Sequence, residues 1–294
     1  MTFRSAFPAP TLIGGRPFEW GSRTFVMGIV NVTPDSFSGD GLAAAGPVSD
    51  PAELAIAAAA QAARIVAEGA DIVDVGGEST RPGHTVVGED EETARVVPAI
   101  EAIRSALPNT PISIDTSKPA VAAAAVDAGA SLINDVWGVG PDDAMARLAA
   151  ERRVPLILMH NRAEASYTDL MAELLADLRA AVERAVRAGV PRENLIVDPG
   201  FGFGKTPDHN LLVLRELARL NELGLPILLG TSRKSTLGLV LGGLPPEERL
   251  EGTLATTALG IAAGADLIRV HDVLANVRVA RVCDAVLRPG NWSA

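Results

Sequence analysis

The feature that most constrains this chain is a regular alternation of short β-branched apolar runs with longer alanine-rich segments of helical periodicity. Each apolar run is followed by Gly, Asn, Asp, Ser or Thr before the next helical segment begins. Strands that alternate with helices in this way favour a parallel sheet with crossover helices. The eight predicted strands are Phe25–Val32, Asp71–Gly76, Pro111–Asp115, Leu132–Val136, Pro155–His160, Leu195–Asp198, Pro226–Gly230 and Leu267–Val270.

The number of strand–helix units predicts the class of fold. Eight units in about 260 residues match a closed (β/α)8 TIM barrel better than an open doubly wound sheet, which usually has five or six strands. The steps Gly69-Ala70, Gly129-Ala130 and Gly264-Ala265 recur just before strands, as expected where a helix ends on glycine. Within the amphipathic segment 90–107, Pro98 predicts a break and the start of a second helix.

The sequence contains no linker or low-complexity stretch that would divide the barrel. We therefore expect residues 1–24 to form an amino-terminal plug and residues 25–294 to form one (β/α)8 barrel domain. In Thr11–Thr24, the pair Gly14-Gly15 between apolar residues predicts a β-hairpin that closes the barrel bottom.

Composition excludes several classes of partner. The net charge of −10 disfavours nucleic acid and anionic membranes, since both would be repelled at long range. No apolar run is long enough to span a membrane, and the amino-terminal segment does not resemble a secretory signal. The single cysteine, Cys283, cannot form an internal disulfide, which predicts a reducing cytoplasm.

In a barrel of this kind the reactive groups lie at the carboxyl ends of the strands. Basic residues are mostly arginine, and each of the three lysines follows shortly after a predicted strand, which suggests a local cationic patch for an anionic substrate. The polar residues that end the eight runs are Asn31, Gly77-Glu78-Ser79-Thr80-Arg81, Asp115, Asn134-Asp135, His160-Asn161, Asp198, Ser232-Arg233-Lys234, and Arg269 with His271.

This set of residues suits two kinds of ligand group. Asp115, Asn134 and Asp198 offer the carboxylate and amide groups that a flat heterocycle with a guanidine-like edge requires. Arginine, lysine and backbone N–H groups suit a diphosphate, usually together with a magnesium ion that has few protein ligands.

Seven motifs carry a resemblance to a known family. The two most specific are MGIVNVTPDSFSGDG at 27–41 and GADIVDVGGESTRPG at 69–83; the others are SIDTSK, INDVWG, DPGFGFGKT, GTSRKS and IRVHD. In order and spacing, from about Phe25 to Asp272, the chain resembles the dihydropteroate synthases. The resemblance implies a transferase of folate biosynthesis and sulfonamide target that joins 6-hydroxymethyl-7,8-dihydropterin diphosphate to 4-aminobenzoate, with Mg²⁺ and as a homodimer.

The resemblance also implies a role for each matching position. The pterin is expected on Asp115, Asn134, Asp198 and Lys234, with Arg269 stacked against its ring. The diphosphate and Mg²⁺ are expected at Asn31, Arg269 and His271, with Asn31 as the metal ligand. The 4-aminobenzoate pocket is expected to comprise Thr80, Pro82, Phe203 and Ser232, and the loops with Asp35 and Arg81 to close over the substrates.

The implied reaction is displacement of diphosphate from the pterin methylene by an aromatic amine that is already unprotonated at neutral pH. No strong general base is required, so we expect Asn31, Arg269 and His271 to stabilise the leaving group while Asp115 offsets positive charge on the pterin. The chain departs from many members at Gly39-Asp40 and at Asn161-Arg162-Ala163, so no role is transferred to those positions.

Other interpretations of single motifs are weaker. A phosphate-binding loop at 200–206 would need glycine where Pro199 stands. His160 and His271 lack metal-ligand spacing, and Asp74 and Glu78 would be more than about 12 Å apart along one strand, too far for a glycosidase pair. Two competing functions are a pterin-binding methyltransferase domain and a catalytically silent pterin-binding homologue.

Overall fold

The computed structural model describes residues 7–33, 50–78, 87–138 and 143–288. Within these residues a two-stranded antiparallel sheet precedes an eight-stranded parallel sheet. The strands are β1 (Thr11–Ile13), β2 (Arg16–Phe18), β3 (Phe25–Asn31), β4 (Ile72–Gly76), β5 (Ile112–Asp115), β6 (Leu132–Asp135), β7 (Leu156–Met159), β8 (Leu195–Asp198), β9 (Leu228–Leu229) and β10 (Leu267–Val270).

The large sheet has the strand order β8-β7-β6-β5-β4-β3-β10-β9. A parallel bridge between Val197 of β8 and Ile227, just before β9, brings its two end strands together into a barrel. Its strands are almost wholly buried on both faces, as in parallel sheets covered by helices. The predicted (β/α)8 barrel is therefore confirmed.

All eight predicted strands are present, and β9 differs most from its predicted bounds. The backbone N–H of Ile227 donates to the Asp266 carboxylate at 3.0 Å instead of extending the strand ladder. The carbonyl oxygen of Ile227 still accepts from the Leu267 N–H at 3.1 Å, and β9 itself covers Leu228–Leu229.

Nine α-helices within the described residues surround the barrel. They are α1 (Pro51–Ala67), α2 (Glu89–Ala106), α3 (Pro119–Asp127), α4 (Ala144–Arg152), α5 (Leu170–Arg187), α6 (Pro207–Arg215), α7 (Ser235–Val240), α8 (Leu250–Ala263) and α9 (Val273–Leu287). Side-chain caps fix some of their starts: the Asp50 carboxylate accepts from Ala52 N before α1, and Asp169 accepts from Ala172 N before α5.

Helix α2 continues through Pro98, so the predicted break there is wrong. A proline inside a helix removes one hydrogen bond and normally destabilises the helix. Here the residues on either side, Val96, Ile100 and Ile103, are fully buried between α1 and α3. Burial of this apolar face outweighs the missing hydrogen bond.

The amino-terminal hairpin closes the bottom of the barrel, as predicted. Gly14 and Gly15 form its turn with φ of 56° and 79°, the left-handed values that a tight hairpin turn needs at both central residues. Ile13 and Phe18 are 0% and 1% exposed. They belong to a separate core cluster with Trp20, Phe25, Met27, Ile72, Leu132, Ile157, Ile196, Leu228 and Leu267, most of which come from the barrel strands.

None of the helices that the structure describes combines the length with the apolar character that a bilayer crossing requires.

Candidate active site

The register of the parallel strands brings distant polar residues to one edge of the sheet. Asn31 pairs with Gly76, Gly76 with Asp115, and Asp115 with Asn134. A Cβ added at Gly76 would lie 3.7 Å from Asn31 Oδ1 and 3.8 Å from Asp115 Oδ2. The three polar residues therefore lie at the same level on neighbouring strands, around the carboxyl-terminal mouth of the barrel.

Arg269 on β10 reaches across this mouth to two carboxylates. Its Nε donates to Asp74 Oδ2 at 2.6 Å and its Nη2 to Asp115 Oδ2 at 2.5 Å. Burial disfavours the guanidinium cation, but the two carboxylates outweigh burial and raise the pKa of Arg269. Asn134 Nδ2 also donates to Asp74 Oδ2, at 3.4 Å. In this arrangement Arg269 links β4, β5 and β10.

Asp74 was missed by sequence reasoning as part of this site. It is fully buried in β4, where four neighbouring strand residues are apolar or glycine. A carboxylate inside a buried strand is costly unless it is paired, and this signal could have identified it. From the sequence, Asp74 was considered only as a partner of Glu78, a pair rejected on distance; its described partners are Arg269 and Asn134.

Several buried polar atoms at this mouth have no hydrogen-bond partner within the described part of the chain. They are Asp74 Oδ1, Asp115 Oδ1 and Ser113 Oγ. A buried polar atom without a partner costs about 1–3 kcal/mol, and such atoms often mark a place where a ligand donor binds. Burial raises the pKa of Asp115 to about 7, against the lowering effect of Arg269.

Asp198 ends β8 on the opposite side of the mouth. Burial raises the pKa of Asp198 to about 6, although the Gly200 N–H donates to its Oδ1 at 2.6 Å. Lys234 lies close enough to both Asp115 and Asp198 to lower their pKa values in part. Asp115, Asp198 and Lys234 therefore share one mouth although they are far apart in the sequence.

The connections after β9 and β10 are tied together at the same rim. Ser232 Oγ lies 2.9 Å from His271 Nδ1 and accepts from the His271 backbone N–H at 3.1 Å. Arg233, between Ser232 and Lys234, adopts a left-handed φ of 58° and its guanidinium bonds Asp272 at 2.7 and 3.1 Å. This ion pair holds the two connections side by side.

Phe203 completes the described part of the rim. The Lys234 ammonium lies 3.9 Å from the centre of the Phe203 ring, a cation–π contact. This contact places the glycine-rich connection after β8 against the connection after β9.

The three lysines do not form one patch. Lys118 is held between Glu78 and Glu92, 2.5 Å from each, and Lys205 bonds backbone carbonyls and His160. Among the lysines, Lys234 is the one that faces the mouth. The remaining predicted site residues Thr80, Arg81 and Pro82, and the loop acids Asp35 and Asp40, lie outside the described residues.

His160 ends β7 and was predicted to act through hydrogen bonds. Its Nε2 lies 3.1 Å from Asp177 Oδ2 and its Nδ1 lies 2.9 Å from Lys205 Nζ. Burial, assisted by Lys205, lowers the pKa of His160 to about 4, so the ring is neutral at pH 7. Within the described residues no group of three acidic, histidine or cysteine side chains is arranged to hold a metal ion.

These observations define the class of protein: a (β/α)8 barrel whose polar site lies at the carboxyl ends of its strands. Comparison with known proteins identifies the family. Residues 27–271 match the model described as pterin binding enzyme. The chain therefore belongs to the pterin-binding enzymes. Because its curated relatives at 52% identity are dihydropteroate synthases, it belongs to that family within them.

Curated and solved relatives agree with this assignment over nearly the whole chain. A dihydropteroate synthase of Clostridium beijerinckii is 52% identical over 277 residues, covering 94% of this chain and 99% of that protein. The structure of the Xanthomonas albilineans enzyme with 4-aminobenzoic acid has a TM-score of 0.86 and 43% identity, covering 96% of this chain and 99% of that one. Another structure of that enzyme, with 7,8-dihydropteroate, has a TM-score of 0.84 and 41% identity, covering 95% of this chain and 99% of that one.

Proposed function

We propose that this protein condenses 6-hydroxymethyl-7,8-dihydropterin diphosphate with 4-aminobenzoate to give 7,8-dihydropteroate and diphosphate. The observation that carries the proposal is the convergence of Asp115, Asn134 and Asp198 at one mouth, with buried oxygen atoms that lack partners in the described chain. The family assignment supports it. The solved relatives with 4-aminobenzoic acid and with 7,8-dihydropteroate favour the synthase over the methyltransferase alternative.

The pterin binds among the buried polar groups in this proposal. Its ring N–H and amino groups would donate to Asp115 and Asp198, while Asn134 can both donate and accept. Lys234 contributes positive charge near both carboxylates. The guanidinium plane of Arg269 would stack on the ring, held in place by Asp74 and Asp115.

The diphosphate lies toward Asn31, Arg269 and His271. A Mg²⁺ ion commonly keeps several waters and binds through few protein oxygens plus substrate phosphates. The half-buried Asn31 side chain, whose Oδ1 lies beside Gly76 at the mouth, fits such an ion that arrives with the diphosphate. When bound, the ion would neutralise charge on the departing diphosphate.

The 4-aminobenzoate pocket lies between the Phe203 ring and Ser232 in this proposal. Phe203 provides an apolar wall for the benzene ring, and Ser232, oriented by His271, provides a polar group for the carboxylate. Thr80, Arg81 and Pro82 are proposed to contribute from the connection after β4.

The chemical step breaks the bond between the pterin methylene carbon and the diphosphate oxygen and forms a bond from that carbon to the amine nitrogen. The amine nitrogen then loses one proton to solvent. Arg269 and His271 stabilise the leaving diphosphate, and the ionised Asp115 offsets positive charge on the pterin. Because Asp115 has a raised pKa, this contribution grows as the pH rises through about 7.

We also propose a homodimer in the cytoplasm. Leu239 and Val240 on α7 and Leu259 on α8 are 61%, 62% and 59% exposed on neighbouring helices. A second copy of this chain would remove this apolar surface from water. Light scattering after size exclusion should give about twice the monomer mass, and Leu259→Glu should lower the measured mass.

The cytoplasmic location is proposed from the cysteine content, because the single Cys283 suits a reducing compartment.

A coupled assay for diphosphate release tests the proposed activity. It requires dihydropterin diphosphate, Mg²⁺ and 4-aminobenzoate, and omission of any one should abolish release. A sulfonamide, which resembles 4-aminobenzoate, should compete with it. If the folded protein binds the pterin but releases no diphosphate, it is a silent binder and the proposal is wrong.

A further inference from the structure

The connection after β8, residues 200–205, packs closely against the connection after β7. A Cβ added at Gly200 would lie 1.9 Å from the carbonyl oxygen of His160, and one at Gly204 would lie 2.4 Å from that of Arg162. Both glycines have positive φ values, 68° and 53°. The shape of this connection therefore depends on direct backbone contact with the residues that follow β7.

The Lys205 side chain holds this connection through several hydrogen bonds. Its Nζ lies 3.1 Å from Gly200 O, 3.0 Å from Phe203 O and 2.9 Å from His160 Nδ1, with His160 O at 3.4 Å. All four atoms can accept a hydrogen bond, and an ammonium group has three N–H donors. The Lys205 side chain thereby bonds two residues of its own connection, Gly200 and Phe203, and joins them to His160, which follows β7.

The acceptor on His160 is itself fixed. Burial lowers the pKa of Lys205 to about 7. In its ammonium form Lys205 can only donate, so His160 Nδ1 accepts and the ring proton lies on Nε2 toward Asp177. Asp177 also accepts from Arg162, at 2.8 and 3.0 Å. A second bond holds the connection independently of Lys205, since the Tyr167 hydroxyl donates to Gly204 O at 2.8 Å.

The residue that this network places is Phe203. Its carbonyl oxygen accepts from Lys205, while its ring contacts the ammonium of Lys234. Asp198, which precedes the connection, is the last residue of strand β8 and bonds the connection once, through the Gly200 N–H at 2.6 Å, whereas Phe203 lies wholly within it. Loss of the Lys205 bonds should therefore displace Phe203 more than Asp198.

From this geometry we infer that Lys205 is a positioning residue for the second substrate: it holds Phe203 in place and so determines the KM for 4-aminobenzoate. The inference rests on the proposed function, because Phe203 is assigned to the 4-aminobenzoate pocket there. Lys205 does not touch the reacting atoms in this scheme and acts through Phe203.

The test compares two substitutions with a matched control. Lys205→Met keeps the chain length and removes all three donors, and Tyr167→Phe removes the bond to Gly204 alone. Arg192→Met is the control. Arg192 lies before β8, at the opposite end of that strand from Lys205, and likewise donates from its side chain to a backbone carbonyl, that of Leu223. Steady-state kinetics for each substrate would be measured together with the melting temperature.

We expect Lys205→Met to raise the KM for 4-aminobenzoate about tenfold or more and that for dihydropterin diphosphate less than threefold. Tyr167→Phe should raise the KM for 4-aminobenzoate about threefold, and Arg192→Met should change neither KM. An equal rise in both KM values, or an unchanged KM for 4-aminobenzoate, overturns the inference. Should Lys205→Met fail to fold, Lys205→Gln, which keeps N–H donors on a shorter side chain, is measured in its place against the same outcomes.

A measurement without turnover separates this inference from the proposed function. Hydrogen–deuterium exchange should become faster in residues 199–206 of Lys205→Met and Tyr167→Phe, and stay unchanged there in Arg192→Met. Absence of activity in the wild type would refute the proposed function while leaving this result valid. Unchanged exchange in both variants would refute the positioning role.

Discussion

The buried carboxylates at the two ends of the barrel differ in how fully their oxygens are hydrogen-bonded. At the bottom, Asp71 accepts from Arg23 at 2.9 and 2.5 Å and from the Val26 N–H at 2.9 Å, so both of its oxygens are bonded. At the top, Asp74 and Asp115 each keep one oxygen without a partner in the described chain. Asp71 and Asp74 are only three positions apart: Asp71 directly precedes β4, and Asp74 is its middle residue.

This difference shows which end of the barrel satisfies its buried polar groups without a ligand. The bottom combines satisfied ion pairs with the aromatic cluster of the hairpin, and it mainly stabilises the barrel. At the top, buried oxygens have no partner among the described residues, and each such oxygen lowers stability by about 1–3 kcal/mol until a ligand donates to it.

Phe18→Ala should give the largest loss of stability. Phe18 is 1% exposed and packs against Phe25 and Trp20, with ring centroids 4.7 and 5.8 Å away. Truncating a buried phenylalanine costs about 3–5 kcal/mol. Chemical denaturation should show this loss, while kcat of the protein that remains folded stays within about twofold. A large fall in kcat would mean that the bottom also shapes the site.

Asp115→Asn should lower kcat by about 10²–10³-fold, because it removes the charge that offsets positive charge on the pterin. The melting temperature should change little, since the substitution also removes a poorly solvated carboxylate. Diphosphate release and scanning calorimetry would measure the two effects.

Asp71→Asn is the matched control for Asp115→Asn. It weakens a buried ion pair at the bottom, so we expect a loss of about 1–3 kcal/mol in the free energy of unfolding with kcat nearly unchanged. Similar kinetics for the two variants would contradict the division between the two ends.

The top carboxylates should make stability and activity respond oppositely to pH. Burial raises the pKa of Asp115 to about 7 and that of Asp198 to about 6, above the usual value of 3.8. Between about pH 4 and 7 the folded protein therefore holds protons that the unfolded chain has released, so stability falls as pH rises. Calorimetry from pH 5 to 7.5 should show the fall, with a shallower slope in Asp115→Asn.

Over the same range kcat/KM for the pterin substrate should rise as Asp115 ionises. The pH profile of Asp115→Asn should lack this rise. A parallel rise in both proteins would assign it to another group.

Ser232→Ala should have the smallest effect, a rise of about 3–10-fold in the KM for 4-aminobenzoate, equivalent to about 1 kcal/mol. The substitution removes the oxygen that bonds His271. Thr231→Val is its control, because the neighbouring Thr231 hydroxyl bonds Thr256 inside the protein. That variant should lose stability without a change in KM, and equal KM values in the two variants would contradict the role of Ser232.

Much of the fold and the rim could be predicted from local sequence. Parallel strands that are buried on both faces leave continuous apolar runs, and the residue that ends each run lies at the mouth of the barrel. For this reason the sequence pattern alone identifies four rim residues: Asn31, Asp115, Asn134 and Asp198. Pro98 shows the limit of local signals, because burial of α2 overrides its helix-breaking tendency.

Local sequence patterns are enough to specify the strand–helix alternation, the hairpin turn at Gly14-Gly15 and the polar residues at the strand ends. Which of these residues bond one another depends on how the chain folds in three dimensions. Arg269 meets Asp74 across 195 positions, and Lys205 meets His160 across 45. Such pairs depend on barrel closure and strand register, which bring distant segments together, whereas periodicity along the chain reports only on the environment of each segment.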